Sequence, residues 1–318
     1  MPRPTIIVHG GAGSIQPYIW SRFLEHAQLA ARCGQAILDD GGSAVDAAMA
    51  ASRFMEDDET FNAGTGSALN REGMVECDAL VMTSERHAGA VAGVRGIRNP
   101  IDLARIVMEH TDHLLIVGPG AMALARQHGI ELCNPAEMVT ERRLKRYLQM
   151  KEQGVTFETN PEREATDDPI DDPPADDTTG DTVGACALDE QGNLAVTSTT
   201  GGMIMKLPGR AGDVPVIGGG SYCGPAGAVT CSGHGEPVVR VCLAKYAYDL
   251  LELGASAGEA AERGVDHLVD ITGGLAGLIV LDRHGGRGWA TSTRHISVGV
   301  PDRRPDDRCG YLPPDEEP

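Results

Sequence analysis

Two neighbouring residues in the second half of this 318-residue chain, Asp181 and Thr182, mark a place where an amide bond could be cut. A cut between them would free the α-amine of Thr182, whose ordinary pKa is about 8. That amine can accept the hydroxyl proton of the same residue, so one threonine would supply both nucleophile and base. The same hydroxyl could make the cut by attacking the carbonyl of Asp181. The alternative is a threonine that only begins a strand.

Three further segments could complete such a site. Thr200 ends the next apolar segment, and pairing of the two segments as strands would place its hydroxyl beside Thr182. Arg210 and Asp213 lie three residues apart in a glycine-rich loop and could hold the carboxylate and ammonium groups of an amino acid. The hydroxyl and backbone N–H of Ser232-Gly233 could stabilise an oxyanion. Taken singly, the charged pair also fits a solvated ion pair on a surface turn, and Ser232-Gly233 fits an ordinary glycine-rich turn.

The elements that must position these segments are helices and hairpins. Apolar spacing predicts helices over 18–38, 44–54, 101–109, 121–128, 137–152, 237–253 and 255–269, the second capped by Ser43. Apolar runs predict strands over 5–8, 74–82, 88–94, 182–188, 194–199, 278–281 and 289–293. Hairpins are prominent in the second half, which favours an α+β class with antiparallel sheets over a doubly wound parallel sheet.

The composition excludes several classes of partner. The net charge of -19 repels phosphate backbones and anionic membranes, and aromatic residues make up only 4% of the chain. We therefore expect neither nucleic acid nor a membrane as a partner. No run of 18 apolar residues occurs, and the first apolar run stops at His9-Gly10-Gly11, too soon for a signal peptide. A cytoplasmic location is expected.

Residues 157–181 differ from the rest of the chain. They contain ten acidic residues, one basic residue and four prolines. Such a segment cannot bury enough apolar surface to offset the entropy of ordering it, so a solvated linker is predicted.

Common catalytic and metal motifs do not occur. The chain has no Gly-x-Ser-x-Gly, Walker A, Gly-x-Gly-x-x-Gly or His-Glu-x-x-His pattern, and the glycines after His9 are interpreted as a tight turn. Its eight cysteines form no Cys-x-x-Cys pair, so reduced thiols are expected.

Taken together, the motifs resemble the plant-type asparaginase and isoaspartyl peptidase family of N-terminal-nucleophile hydrolases along nearly the whole chain. They are HGGAGS, FNAGTGS, AGAVAGV with IRNP, DTVGACALDEQGN, TSTTGGMIMKLPGRAGD and CSGHGE, in family order. The resemblance implies a four-layer αββα sandwich forming one structural domain. It also implies self-cleavage into an α subunit, 1–181, and a β subunit, 182–318, which assemble as (αβ)₂.

The resemblance also implies a role for each matching residue. Thr182 would be the nucleophile, Thr200 would support its hydroxyl, and Asn62 in FNAG would help to position it. Substrate would be held by Arg210, Ala211, Gly212 and Asp213 and by Ser232, Gly233, His234 and Gly235, with Ser232 and Gly233 also donating to the oxyanion. No cofactor is implied for catalysis. A structural sodium ion is implied, bound by the backbone carbonyls of Met55, Glu56, Asp58, Phe61, Ala63 and Thr65.

The implied activity is hydrolysis of L-asparagine and β-aspartyl dipeptides through a β-aspartyl-threonine ester. Asp213, a partner for a free α-amine, suits a small aspartyl amide rather than an internal peptide bond. Two alternatives stay open: a glycosylasparaginase with the same chemistry, and a binding protein that holds an aspartyl ligand but never matures.

Overall fold

The computed structural model describes residues 3–15, 17–154 and 182–301. Asp181 and the acidic segment 157–181 lie outside these ranges, as does Cys309. The seven cysteines inside them are free thiols, as expected. No helix of the described ranges combines the length and the apolar character needed to cross a membrane.

Along the described residues, strands and helices occur in short runs rather than in strict alternation. The strands are β1 Thr5–Gly13, β2 Cys77–Thr83, β3 Ala88–Val94, β4 Leu115–Val117, β5 Val183–Leu188, β6 Leu194–Thr200, β7 Ser221–Gly224, β8 Gly227–Gly233, β9 Ala276–Asp282, β10 Arg287–Thr291 and β11 His295–Gly299. The helices are α1 Pro17–Asp39, α2 Ala44–Asp57, α3 Pro100–His110, α4 Gly118–Gln127, α5 Glu141–Glu152, α6 Gly235–Arg240, α7 Leu243–Glu252 and α8 Ala257–Thr272.

The described strands form two sheets. One has seven strands in the order β11-β1-β5-β6-β2-β3-β4, and the other has four in the order β10-β9-β8-β7. Every neighbouring pair is antiparallel except β3 and β4. The predicted α+β class with antiparallel sheets is therefore confirmed.

The core lies between the two sheets and under the helices that cover them. Apolar side chains of both sheets share one buried cluster, with Ile7 and Cys186 on one side and Ala228 and Ile279 on the other. Helices α1 and α2 pack on the outer face of β1 and β5, and α3 and α4 on β2 and β3. Helices α7 and α8 pack on the outer face of β8 and β9. Burial of this apolar surface drives the sheets and helices together.

Local signals account for several element boundaries. The Ser43 side chain accepts a hydrogen bond from the backbone N–H of Asp46 at 3.1 Å, so the predicted cap of α2 is confirmed. The hairpin of β5 and β6 is confirmed too, and the Asp189 carboxylate closes its turn by accepting from the backbone N–H of Asn193 at 2.8 Å.

Other elements differ from those predicted. The first strand was expected to end at residue 8, but β1 continues through the glycines to Gly13, with a register shift between His9 and Ala12. Gly10 is needed there, because a Cβ atom would lie 2.3 Å from the ring of Phe61. The single helix predicted over 237–253 is wrong: Cys242 has a left-handed φ of 49° and separates α6 from α7. The short strand β4 and strand β11 were not predicted.

Candidate active site

Thr182 lies directly before β5 and is 5% exposed. In the β5–β6 pair, Val183 stands opposite Thr199. One more residue along the same register brings Thr182 opposite Thr200, which is also buried. The backbone therefore sets the two threonines side by side at one end of the larger sheet.

The side chain of Thr182 faces the smaller sheet. Side chains alternate along a strand, so Thr182 shares a face with Gly184. A Cβ atom at Gly184 would lie 2.6 Å from Thr230 Oγ1, so this face of β5 meets β8 closely. Thr230 and Ser232 share one face of β8 by the same alternation. The candidate nucleophile and Ser232 thus belong to two facing strand surfaces.

Asn62 fastens the chain that follows Thr200. The side-chain Nδ2 of Asn62 donates to the backbone carbonyl of Gly202 at 2.7 Å, and the backbone carbonyl of Asn62 accepts from the N–H of Gly201 at 2.9 Å. The Asn62 Oδ1 accepts from the backbone N–H of Ala68 at 2.7 Å. The Thr200 hydroxyl accepts from the N–H of Gly202 at 2.9 Å. The buried amide therefore holds the end of β6 in place.

Residues 209–213 form a loop that we call the substrate loop. Both of its charged side chains reach Gly235: a Cβ atom there would lie 2.8 Å from Arg210 Nη2 and 3.0 Å from Asp213 Oδ1. The Arg210 guanidinium donates from Nε and Nη2 to the two oxygens of Glu236, at 3.0 and 2.8 Å. Such two-point pairing is what an arginine offers to a substrate carboxylate. Ala211 is exposed and Gly212 is buried.

The Asp213 carboxylate is buried with few groups to stabilise its negative charge. It is 4% exposed, and its Oδ2 accepts no hydrogen bond. Burial raises its pKa to about 6, although its own backbone N–H and Arg210 oppose the shift, and Glu236 and Asp78 add to it. A buried carboxylate with an unused oxygen is suited to accept hydrogen bonds from an ammonium group.

The candidate oxyanion segment is held by the neighbouring strands. Ser232 is fully buried, and its Oγ accepts from the backbone N–H of Ala12 at 3.0 Å. Gly233 has φ 145°, and a Cβ atom there would lie 2.5 Å from Ala276 Cα. The backbone N–H of His234 donates to the carbonyl of Leu275 at 2.9 Å, and its Nδ1 accepts from the N–H of Leu275 at 3.3 Å. His234 is thereby held against Leu275, the residue that precedes β9.

His9 also lies beside the candidate site, although the glycines that follow it predict only a tight turn. It is fully buried in β1, and its Nε2 lies 3.4 Å from Thr230 Oγ1. Burial lowers the pKa of the imidazole to about 3, and the nearby backbone of Thr182 only partly opposes this, so the ring is neutral. The signal in the sequence was a histidine directly after an apolar strand.

Two buried acids, Glu76 and Asp78, were also missed. They lie beside the substrate loop, 3% and 0% exposed respectively, at the start of β2. The signal was Glu76-Cys77-Asp78 within a segment predicted to be an apolar strand, since charged residues are rarely buried unless paired.

Backbone hydrogen bonds cross the loop that is expected to bind sodium. The carbonyl of Glu56 accepts from the backbone N–H of Thr65 at 2.7 Å, and that of Asp58 from the N–H of Phe61 at 3.2 Å. Each carbonyl oxygen has a second lone pair, so these bonds leave the loop able to ligate a hard cation. The Glu56 side chain is buried with Oε2 unpartnered, and burial raises its pKa to about 8. Within the described ranges, no three His, Cys, Asp or Glu side chains converge as metal ligands.

The chain belongs to the asparaginase family of hydrolases, whose sequence profile matches residues 2–309. It is 38% identical to the isoaspartyl peptidase/L-asparaginase of Xenopus laevis over 298 residues, which are 93% of this chain and 91% of that protein. It is 39% identical to the plant-type L-asparaginase of Thermococcus kodakarensis over 295 residues, 92% of this chain and 94% of that protein. The family resemblance drawn from the motifs is confirmed.

Proposed function

We propose that this protein hydrolyses the side-chain amides of aspartate, both L-asparagine and β-aspartyl dipeptides. The names of its relatives support this substrate class. The observation that carries the proposal is geometric: Arg210 and Asp213 converge at Gly235. Their loop is bonded through Gly212 to Asp78, which stands opposite Thr200 in the β2–β6 pair. This arrangement supports one site for an α-carboxylate, an α-ammonium group and a nucleophile.

Maturation is the first proposed step. The Thr182 hydroxyl attacks the carbonyl of Asp181, and water opens the resulting ester to leave an α subunit, 1–181, and a β subunit, 182–318. The burial of Thr182 at the head of a paired strand supports the step, because the strand holds the attacking residue in one orientation.

Turnover uses the freed α-amine. It takes the proton of the Thr182 hydroxyl, and the oxygen attacks the β-carbonyl of the substrate while Ser232 and the Gly233 N–H stabilise the oxyanion. Ammonia or an amino acid leaves, a β-aspartyl ester remains, and the same amine activates the water that opens it. Arg210 holds the α-carboxylate, with one Nη outside its contact to Glu236, and Asp213 holds the α-ammonium.

Three structural features belong to the same proposal. The two sheets and the helices on their outer faces would make one four-layer αββα sandwich, and two matured units would assemble as (αβ)₂. The carbonyls of the loop 55–65 would bind a sodium ion that stiffens the connection to Asn62. A cytoplasmic location stays a prediction.

A denaturing gel and a substrate panel test this function. Wild-type protein should run as two fragments, and Thr182→Ala should run as one chain of 33.5 kDa without turnover. Thr182→Ser keeps the hydroxyl and should still be cut, which makes it the matched control. A Thr182→Ala protein that is cut and active would refute the assignment.

Rates on three substrates separate the alternatives. L-asparagine and a β-aspartyl dipeptide should be hydrolysed faster than a glycosylated asparagine, and the reverse order would make the protein a glycosylasparaginase. A wild-type chain that stays whole yet binds L-aspartate would be the non-maturing binding protein.

A further inference from the structure

The carboxylates of Glu76 and Asp78 hold the backbone of the substrate loop at two points. Glu76 Oε2 accepts from the N–H of Gly209 at 3.0 Å, and Asp78 Oδ2 accepts from the N–H of Gly212 at 3.2 Å. The first bond is made next to Arg210 and the second next to Asp213. Each charged residue of the loop therefore has a fixed backbone neighbour.

Both acids are themselves held firmly. The second oxygen of Glu76 accepts from Arg95, whose Nε and Nη2 lie at 3.0 and 2.6 Å, while Asn70 Nδ2 donates to Oε2 at 3.1 Å. Burial raises the pKa of Glu76, but these bonds and that of Gly209 outweigh it, so the pKa lies below its usual range. The buried ammonium of Lys206 donates to the Glu76 carbonyl at 2.8 Å.

Asp78 is fully buried in β2, and its Oδ1 accepts from the N–H of Gly93 at 2.9 Å. It also stands opposite Thr200 in the β2–β6 pair. Strand β2 therefore joins the substrate loop to β6, which carries Thr200. The side chain of Asp78 bonds to the loop, and its backbone pairs with β6.

We propose that Glu76 and Asp78 are positioning residues, which set the substrate loop so that Arg210 and Asp213 reach one aspartyl ligand together. Glu76 sets the carboxylate-binding end and Asp78 the ammonium-binding end. The proposal rests on the proposed function of Arg210 and Asp213. Both bonds are charge-assisted. The bond to Gly212 is buried and the bond to Gly209 is partly buried, so they restrict the loop more than fully exposed contacts would.

The charge of Asp78 adds a second, distinctive effect. It contributes to the raised pKa of Asp213, of which burial is the largest cause. An uncharged residue at position 78 would therefore make Asp213 ionise at lower pH. Loss of a carboxylate far from Asp213 would not produce that change.

The test compares Asp78→Asn and Glu76→Gln with a matched control, Asp189→Asn. Asp189 is also buried and accepts from two backbone N–H groups, those of Ala44 and Asn193, but it lies in the β5–β6 turn at the other end of the strands from Thr182. All three variants exchange a carboxylate for an amide. The readouts are KM and kcat for L-asparagine, the inhibition constant of L-aspartate from pH 5 to 8, and Tm.

Asp78→Asn and Glu76→Gln should each raise KM and the inhibition constant by about tenfold or more, with a smaller change in kcat, because the new side chain carries an NH2 group that cannot accept a hydrogen bond from the N–H groups around it. Wild-type inhibition by L-aspartate should weaken as the pH falls through about 6, where Asp213 takes up its proton. Asp78→Asn should move that transition to lower pH, whereas Glu76→Gln and Asp189→Asn should leave it in place.

The proposal is overturned if Glu76→Gln and Asp78→Asn lower Tm as Asp189→Asn does while KM and the inhibition constant stay at wild-type values. If Asp78→Asn does not fold, Glu76→Gln decides by the same KM criterion, since Gly209 lies on the other side of Arg210. Failure of the proposed function gives another result. In that case Asp213→Asn, with Glu76 and Asp78 intact, would leave the inhibition constant of L-aspartate unchanged.

Discussion

The Asp213→Asn variant tests the electrostatics of the substrate loop, because it removes a charge that the fold accommodates poorly. The pKa of Asp213 rises from 3.8 to about 6 on burial, a shift worth about 3 kcal/mol. For an acid whose folded pKa is raised, the stabilising contribution is complete below the unfolded pKa and is lost as the pH rises through the folded pKa. The charged form therefore costs stability most at neutral and alkaline pH.

The variant should relieve this cost in proportion to ionisation. Linkage between the two pKa values gives a stability difference between variant and wild type that grows by about 1.4 kcal/mol from pH 5 to pH 8. Urea unfolding of both proteins at the two pH values measures it, after a gel has shown that both are matured to the same extent. Other titrating groups cancel in the comparison.

Activity should move in the opposite direction. Without the carboxylate the α-ammonium group of the substrate loses its partner, and kcat/KM for L-asparagine should fall by about 100-fold or more. A stability difference that does not depend on pH would refute the buried-charge argument. Unchanged kcat/KM would refute the role of Asp213 in binding.

Three further variants examine how Thr182, the proposed nucleophile, is held. Asn62→Asp sets an acceptor against the carbonyl of Gly202, so the cleaved fraction on a gel and kcat should both fall; a fully matured, fully active variant would show that Asn62 is not needed. Gly184→Ala puts a methyl group 2.6 Å from Thr230 Oγ1 and should slow self-cleavage in a time course, whereas wild-type kinetics would mean that the strands separate easily. Thr200→Val leaves the N–H of Gly202 without its acceptor, so the free energy of unfolding in urea should fall by about 1–3 kcal/mol and kcat should fall too. If neither value changes, the hydrogen bond at 2.9 Å does not hold Thr200 as described.

Much of the fold could be predicted because its signals are local. Ser43 caps α2 with a bond to a residue three positions away, and the β5–β6 hairpin turns within the acidic and glycine residues 189–193. Signals of this kind depend on side chains close together in sequence, which a pattern of residue types records directly. The helix predicted over 237–253 was wrong because a left-handed residue at Cys242 leaves no comparable signal.

The sequence by itself determined the α+β class, the family and the types of residue that make up the site, because motifs and strand alternation are written along the chain. Only the tertiary structure decided which of them meet. Glu76 and Gly209 are 133 positions apart, and Ser232 reaches Ala12 across 220 positions. Such contacts depend on which strands become neighbours, and no local pattern encodes the pairing of β2 with β6 or the facing of β5 and β8.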